Sequence, residues 1–516
     1  MKVFTTLQIS DLDRYTIENE PIDPIDLMER ASCELAGWIL SRYLPTQRLA
    51  LFAGPGNNGG DALAVSRILA LHHFSVDVFI PDTHRSFSEC FLINLERLKK
   101  LVKVSTINWR IEEELPELAD YDLIIDGLYG SGLTRPLSGF SELLVRHLNN
   151  SGIPIISIDI PSGLMGEENS GNNPMAIIRA QFTLTLQFPK LCFFLPENSI
   201  FTGRWVILPI GLHPLGIEQK ETPWHYSDPE SIACLLKKRD RFSHKGTFGH
   251  ALLVAGSFGK MGAAVLAAKG CLRSGVGLLT VHLPRMGNQI MQTALPEAMV
   301  SLDDSENLIS GIPLSSGYKS IGIGPGIGIG EATANAFKLL MENHPVPMVI
   351  DADALNILSG KPELIRLLPA DSILTPHPKE FERLAGVASS DFERLSFARR
   401  FAQVHHVILV LKGAYTAIAF PDGSCWFNST GNPGMATGGS GDLLTGILTG
   451  LLAQGYSPAE AALLGVYLHG LSGDLALEGS SEEALIAGDI ADHLGKAFSA
   501  LKNDPHFGKA KKKVQF

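Results

Sequence analysis

The sequence has few cysteines, and their spacing fits neither a disulfide framework nor a zinc site. The six cysteines among 516 residues are scattered, without a C-x-x-C pair. This usage is typical of small core residues in a reducing compartment. The first residues, MKVFTTLQISDLDRY, contain acids early and no unbroken apolar segment, unlike a signal peptide. We therefore expect a cytoplasmic protein.

Long apolar runs and an excess of positive charge are also lacking. No run reaches the roughly 18 apolar residues that a membrane helix needs, so we predict no membrane partner. The net charge of −11 argues against nucleic-acid binding, which requires a basic surface. The single basic run, Lys509 to Lys513, lies in residues 506–516, which we predict to be a solvated basic tail.

Glycine and short apolar segments are abundant instead. The 51 glycines and the 19% of charged residues suit a buried parallel sheet with tight turns. Apolar strands alternate with helical patterns along the chain, which predicts an α/β fold with helices on both sheet faces. The predicted strands are 48–53, 76–80, 122–126, 153–160, 250–256, 277–283, 320–326, 346–351, 372–377 and 407–413, and the predicted helices include 23–44, 61–72, 262–274 and most of 441–501.

The length of the chain predicts two domains of about 200 to 280 residues each. The alternation stops between Pro209 and Asp228, where the sequence is rich in proline and has no regular period, as in a linker. We place one domain at residues 1–218, a second at 219–505 and the basic tail at 506–516.

Three unusual loops follow strands of the first half: GPGNNGGD (54–61), DGLYGSGLTRPLSG (126–139) and DIPSGLMG (159–166). Parallel strands share a direction, so the three loops lie at one sheet edge, where α/β folds bind ligands. The first loop has the spacing G-x-G-x-x-G, which alone is a weak indication of a dinucleotide pyrophosphate site. Asp61 would place a negative charge at that site, or would serve as a helix cap that interacts with the helix dipole. No acid clearly ends the second strand to bind a ribose; Asp82, after VDVFIP, is a candidate.

The same loops carry several oxygen donors. Asn57 and Asn58 offer amide oxygens, and Asp126 and Ser162 add oxygens from the neighbouring loops. Oxygen ligands with few formal charges favour a weakly bound monovalent or divalent cation over a transition metal. We therefore expect the first loop to bind a cation and a ligand rather than a pyrophosphate.

The segments GPGNNGGDALAVSRIL, DGLYGSGL and IDIPSGL resemble the N-terminal domain of the bifunctional NAD(P)H-hydrate repair enzymes. In that family this Rossmann-like, three-layer domain is an epimerase, which interconverts the R and S forms of NADH or NADPH hydrated on the nicotinamide ring. The resemblance implies a potassium ion on Asn58, Asp126 and Ser162. It implies Asp159 as a candidate general acid or base; a turn residue is the alternative. The implied substrate contacts are Asn57, Asn58, Gly59, Gly60, Asp61, Gly130, Ser131, Gly132, Leu133, Thr134, Arg135, Pro136 and Asp159.

The chain departs from this family at two places. LQFPKLCFF (186–194) stands where small residues are usual before a lysine, and Pro209 stands where an aspartate is usual. Both departures fall on the expected back wall of the pocket.

The second half contains FNSTGNPGMATGGSGDLLTGILTGLLAQG (427–455). Gly438, Gly439 and Gly441 let backbone N–H groups converge where a helix begins, which predicts an anion site. Asp442 lies just inside that helix, where it can take a proton from a hydroxyl beside a phosphate; a helix cap is the alternative. G-x-G-D before a helix is typical of ribokinase-like enzymes, in which the aspartate activates the phosphoryl acceptor.

This segment, together with GIGPGIG (322–328), DADALNIL (351–358), LTPHPKEFERL (374–384) and LKGAYT (411–416), resembles the ADP-dependent NAD(P)H-hydrate dehydratase domain. Ser440 stands where that family commonly has threonine. The resemblance implies that Ala263, Gly326, His377 and Asp442 contact the hydrated cofactor. It implies an ADP site on Lys412, Gly413, Ala414, Tyr415, Thr416 and Gly441. A buried structural histidine and a lysine that merely lies along the surface stay open as alternatives for His377 and Lys412.

The chemistry expected of the second half is phosphoryl transfer followed by elimination. The ring hydroxyl attacks the terminal phosphate of the nucleotide with help from Asp442, and the nitrogen lone pair then expels phosphate. Mg²⁺ would bridge the phosphates. We expect an isomerase and a lyase in one chain, acting on hydrated NADH or NADPH as a homo-oligomer. The alternative is a ribokinase-like kinase of a vitamin precursor, whose N-terminal domain binds a nucleotide without catalysis.

Overall fold

The structure is a computed structural model that describes residues 1–81, 86–101, 105–109, 115–313, 317–344 and 346–505. The chain divides into two compact units, which we call the N-terminal unit (Lys2–Thr222 with Ser390–Phe392) and the C-terminal unit (Met1, Pro223–Ser389 and the chain from Glu393). The predicted basic tail, 506–516, and Asp82 lie outside the described residues.

The N-terminal unit is built on a parallel seven-stranded sheet in the order β4-β3-β2-β5-β6-β7-β8. The chain leaves β2 toward one edge and returns to β5 on its other side, so the order reverses between these two strands. The strands of this unit are β1 (Lys2–Val3), β2 (Arg48–Ala53), β3 (Ser75–Pro81), β4 (Ser105–Trp109), β5 (Leu123–Gly127), β6 (Ile155–Ile158), β7 (Phe182–Leu186) and β8 (Arg204–Leu208).

Helices cover both faces of this sheet. Leu49 and Leu51 of β2 pack into one core with α2, α3 and α4, whereas Ala50 and Phe52 pack into another with α5. The helices of the unit are α1 (Thr6–Asn19), α2 (Pro24–Leu40), α3 (Asn57–Leu71), α4 (Glu89–Lys99), α5 (Phe140–Asn150), α6 (Ser199–Thr202) and α7 (Pro214–Gln219). The predicted three-layer α/β architecture is confirmed for this unit.

The C-terminal unit has a second sheet, in the order β9-β18-β17-β16-β15-β14-β13-β10-β11-β12. Its pairs are parallel except β16–β17 and β17–β18, and the order reverses between β10 and β13. The strands are β9 (Trp224–Tyr226), β10 (His250–Val254), β11 (Leu278–Leu283), β12 (Met299–Leu302), β13 (Ser320–Ile323), β14 (Met348–Ile350), β15 (Ile373–Leu374), β16 (Ile408–Leu411), β17 (Ala417–Ala419) and β18 (Cys425–Phe427).

This sheet is also covered on both faces. Val349 of β14 packs with α15 and α16, and the next residue, Ile350, packs with α11, α12 and α13. The helices are α8 (Pro229–Ala233), α9 (Met261–Arg273), α10 (Asn288–Ala294), α11 (Glu331–Asn343), α12 (Ala352–Gly360), α13 (Pro378–Ala385), α14 (Asp391–His405), α15 (Ser440–Ala453), α16 (Pro458–Ala476) and α17 (Ala487–Lys502). The prediction of two tandem α/β domains is confirmed. Every helix in the described ranges is too short or too polar to span a bilayer.

Two predictions about the elements are wrong. Helix α3 begins at Asn57, four residues before its predicted start, so the asparagines and glycines of the first loop form its first turn. The predicted linker contains helix α7 and strand β9. These elements are too short, at six and three residues, to show a period in the sequence.

Candidate active sites

A cavity of about 560 Å³ lies in the N-terminal unit at the carboxyl ends of β2, β5 and β6. This is where the strand order reverses, as expected for an α/β ligand site. Among the predicted residues, Asn57, Asn58, Asp61, Gly130, Ser131, Gly132, Leu133 and Asp159 line it. Gly59, Gly60, Thr134, Arg135 and Pro136 lie in the same segments but are not among the described lining residues. Leu186, Gln187, Ile210 and Leu212 form the wall where the sequence departs from the family.

Asp159 follows β6 in a left-handed conformation, with φ of +64°. This region of backbone space costs a non-glycine residue about 1 to 3 kcal/mol, and such strain is concentrated at functional sites. The Asp159 carboxylate accepts hydrogen bonds from Lys190 Nζ at 2.6 Å and from the Leu186 N–H at 3.2 Å. The Lys190 side chain is only 1% exposed and also donates to Thr185 Oγ1 at 3.0 Å. Asp159 is thus a turn residue whose carboxylate is fixed at the cavity.

Sequence reasoning did not assign a role to Lys190, although it noted that the family has a lysine there. An apolar context, FPKLCFF, is an unusual place for a lysine, and a fully buried lysine needs an anionic partner. That composition predicts a buried ion pair, but it does not identify Asp159 as the partner.

Asp126 and Ser162 are in direct contact, as their place on neighbouring loops suggested. The Ser162 hydroxyl and N–H donate to the Asp126 carboxylate at 2.5 and 2.9 Å, and Ser157 Oγ donates at 2.7 Å. Burial raises the pKa of Asp126, while these hydrogen bonds act in the opposite direction. The Leu128 N–H also donates to Asp126 Oδ1, at 3.2 Å, so the carboxylate accepts four hydrogen bonds in all.

Asn58 lies on the first turn of α3. Its side chain packs against Gly130, where a Cβ atom would lie 3.3 Å from Asn58 Oδ1. Its Nδ2 is buried and has no hydrogen-bond partner among the described residues. Within the same residues, no group of three His, Cys, Asp or Glu side chains is placed to hold a metal ion. One carboxylate with neutral oxygens fits a weakly held cation rather than a transition metal.

Asp61 is not a helix cap, which corrects one of the two predicted roles. It lies one turn inside α3, and its side chain is buried at the cavity wall. Burial, with further contributions from Asp159 and Asp13, raises its pKa well above the usual value. Asp13, on helix α1, lines the same cavity and was missed by sequence reasoning. A carboxylate between Leu12 and Thr16, on the buried face of α1, could have indicated it.

The glycines of the first loop serve close packing. A Cβ atom at Gly54 would lie 1.7 Å from the Leu128 carbonyl oxygen, and one at Gly59 would lie 1.7 Å from the Gly54 carbonyl oxygen. At Gly56, in contrast, no atom of the described residues lies within 4 Å of the Cβ position. The G-x-G-x-x-G spacing therefore brings β2, α3 and the segment after β5 together.

In the C-terminal unit, helix α15 begins directly after Gly439, which has φ of +88°. No side chain caps the start of this helix, so its first N–H groups are open to an anion. Asp442 lies in the first turn. Burial first, and then the neighbouring Asp351 carboxylate, raises its pKa to about 6, while Lys412 acts in the opposite direction.

Lys412 and Asp351 stand beside this helix start. Lys412 Nζ donates to Asp351 Oδ1 at 2.9 Å, and Thr445 Oγ1 donates to Asp351 Oδ2 at 2.7 Å. A Cβ atom at Gly441 would lie 3.3 Å from Lys412 Nζ, so the ammonium group touches the first turn of α15. Lys412 is therefore held at the site, and does not merely lie along the surface.

The remaining predicted residues surround this centre. Gly326, with φ of +65°, lies against Ala263: a Cβ atom at Gly326 would be 3.2 Å from the Ala263 Cβ.

His377 caps α13, since its Nδ1 accepts from the Glu380 N–H at 3.3 Å, and its side chain is 47% exposed. The half-exposed ring is not the buried structural histidine of the alternative, and its contact with the hydrated cofactor stays a prediction. Thr416 Oγ1 donates to the Gly413 carbonyl at 2.9 Å and closes the 412–416 turn. Ala414 and Tyr415 lie within that turn, and Gly438 precedes α15.

Comparison with known proteins matches each unit to a family. The profile described as NAD(P)H-hydrate dehydratase matches residues 251–496, and the profile described as YjeF-related protein N-terminus matches residues 24–192. A protein of Moorella thermoacetica is 33% identical over 98% of both chains, and one of Thermofilum pendens is 34% identical over 98% of this chain and 97% of its own. Both are named bifunctional NAD(P)H-hydrate repair enzyme.

Among solved structures, an ADP/ATP-dependent NAD(P)H-hydrate dehydratase from Bacillus subtilis, co-crystallized with ATP and Mg²⁺, is 35% identical. It covers 54% of this chain and 98% of its own, with a TM-score of 0.47.

Proposed function

The chain belongs to the family of bifunctional NAD(P)H-hydrate repair enzymes, and from this premise we propose how its two units divide the reaction. The N-terminal unit epimerises R and S hydrates of NADH and NADPH, and the C-terminal unit dehydrates the S epimer with ADP. A dehydratase that accepts one epimer leaves the other unrepaired, so the two activities complete each other. The observation that carries the proposal is that each unit has its own carboxylate, Asp159 or Asp442, at the carboxyl edge of its sheet.

In the N-terminal unit, we assign the cation to potassium, held by Asn58, Asp126 and Ser162. The contact between Asp126 and Ser162 supports this assignment, and Asn58 Oδ1 would add a neutral amide oxygen. When bound, the ion would supply a fixed positive charge beside the substrate. Asp159, fixed by Lys190, would move the proton that hydroxide loss or ring opening requires.

In the C-terminal unit, the open N–H groups of α15 and the Lys412 ammonium would bind the phosphates of the nucleotide. Asp442 would take the proton of the ring hydroxyl as it attacks the terminal phosphate. A pKa of about 6 keeps this carboxyl ionised at pH 7, as a base requires. Mg²⁺, which neutralises phosphate charge, would enter with the nucleotide, since it binds largely through phosphate and water.

We further propose a cytoplasmic location and assembly as a homo-oligomer, with small molecules as substrates. The six cysteines are all free thiols, which supports a reducing compartment. The domain limits 1–218 and 219–505 stay part of the proposal.

The proposal is tested with an R and S mixture of hydrated NADH, Mg²⁺, K⁺ and either ADP or ATP. We expect the absorbance of reduced nicotinamide to return in two phases: a fast phase as the S epimer is dehydrated, and a second phase limited by epimerisation. Exchange of K⁺ for a bulky organic cation should slow the second phase alone. No recovery of absorbance with either nucleotide, together with a stable phosphorylated alcohol, would establish the kinase alternative instead.

A further inference from the structure

Helix α1 places one carboxyl group on its buried face. Ile9, Leu12 and Thr16 are the buried residues of this helix, and Asp13 lies among them at helical spacing. Ile9 packs with Phe188 and Ile210, which fixes the helix against the wall of the N-terminal cavity. Asp11, on the outward face, instead pairs with Lys220 at 2.6 Å. Asp13 therefore occupies a position where an apolar residue would pack without cost.

The Asp13 carboxyl lines the cavity with Asp61 and Asp159, each supplied by a different element. Across the described ranges of the chain, no side chain or backbone group hydrogen-bonds to it. Asp159, in contrast, is held by Lys190. A half-buried carboxyl that faces a cavity and makes no structural bond is available to a ligand.

The charges of this group do not balance when all carboxyls are ionised. Among the described residues, Lys190 is the cation that acts on both Asp13 and Asp159, and it can compensate one of the three carboxylates. Burial first, and then repulsion from Asp159, raises the pKa of Asp13 to about 7. The group therefore combines Asp159, which is paired with Lys190, with a second carboxyl, Asp13, that can give and take a proton near neutral pH.

We propose that Asp13 is the second acid–base residue of the epimerase and acts as the partner of Asp159. The proposal rests on the epimerase function proposed above. Exchange of a hydroxyl between the two faces of a ring carbon requires one group that protonates the departing oxygen and another that deprotonates the incoming water. Two carboxyls from different elements at one cavity, one held by a lysine and one without a hydrogen-bond partner among the described residues, can fill these two roles.

In one direction, the reaction begins at the hydroxyl on the ring carbon. The Asp13 carboxyl donates its proton to the hydroxyl, the carbon–oxygen bond breaks with its electron pair going to oxygen, and water departs. The ring nitrogen lone pair forms a C=N bond to the same carbon. Water then adds to the other face, the C=N electron pair returns to nitrogen, and the released proton goes to Asp159. Water in the cavity returns this proton to Asp13, and the reverse reaction exchanges the two roles.

The test measures conversion of the purified R epimer by the full-length protein with nucleotide and Mg²⁺ in excess. We expect Asp13→Asn to lower kcat by about 100-fold or more, the size of a lost acid–base group, with KM changed less than about threefold. Asp13→Glu, which keeps the carboxyl, should recover at least about a tenth of the kcat. Asp11→Asn, on the exposed face of the same helix, should match the wild type.

Three results would overturn the assignment: an Asp13→Asn protein with wild-type kcat, a loss confined to KM, or an Asp13→Glu protein no more active than Asp13→Asn. Dehydration of the S epimer in the same samples reports only on the C-terminal unit, so urea unfolding of each variant is used to show that the N-terminal unit is folded. If the wild type itself does not convert the R epimer, the proposed function fails, and not only the role of Asp13.

Discussion

Asp442 has a carboxyl whose surroundings set the pH range in which the C-terminal site can work. Its raised pKa, about 6, means that the carboxylate is the minority form below that pH. Because the base must be ionised, we expect kcat/KM for dehydration to be level above pH 7 and to fall about tenfold per pH unit below 6. A carboxyl with an ordinary pKa near 3.9 would leave the rate unchanged down to about pH 4.5.

The terminal phosphate of ADP titrates in the same range, so the profile needs a control. The measurement is repeated with a β-thiophosphate analogue of ADP, whose terminal group is more acidic. If the fall in rate at low pH occurs at the same pH with both nucleotides, it belongs to Asp442. A fall that shifts to lower pH with the more acidic analogue would refute the assignment. Asp442→Asn should show no dehydration at any pH, while its epimerase activity persists.

At the scale of residues, the sequence predicts single functional side chains better than it predicts which residues pair with them. Asp126 and Ser162 could be brought together because parallel strands end at one edge. The sequence does not reveal that Lys190 pairs with Asp159. Lys190 is 31 positions away, and it reaches Asp159 through a turn that has no periodic pattern. To predict Asp13 as a site residue, one must know which face of α1 is buried and that this face packs against the wall of the cavity.

At the scale of elements, the packing of the turn from β2 to α3 depends on Gly59 but not on Gly56. Gly59→Ala would press a methyl group into the Gly54 carbonyl, so we expect the free energy of unfolding of the N-terminal unit to fall by about 1–3 kcal/mol. Gly56→Ala, with open space at its Cβ position, should change it by less than about 0.5 kcal/mol. Urea unfolding measures both, and equal losses would contradict the packing role.

The same turn shows why element boundaries were harder to predict than element types. The predicted strand at 48–53 matches β2, and the apolar run that predicts it needs no tertiary information. Helix α3, however, starts within N-N-G-G, residues that disfavour helices in isolation. Close contact of Gly59 with Gly54 selects the helical turn there, so packing overrides local preference. Strands β7 and β8 were not predicted at all, and their burial comes from neighbours distant in sequence.

At the scale of the whole molecule, each unit contains its own sheet, cores and site. We therefore expect an inactive epimerase and an inactive dehydratase to complement each other as separate chains. Asp159→Asn alone should repair only the S epimer, and Asp442→Asn alone should repair neither. An equal mixture should restore the absorbance of both epimers, beyond the uncatalysed rate. A mixture that leaves half of the substrate unrepaired would show that both sites must be intact in one chain.

Helix α1 has a practical consequence for anyone who wishes to express the first half alone. The family profile begins at residue 24, downstream of the helix that carries Ile9 and Asp13. A fragment cut there would uncover Phe188 and Ile210, adjoining apolar side chains that invite aggregation. It would also lack one wall of the pocket. A useful clone has to start ahead of Phe4 and continue past Leu212.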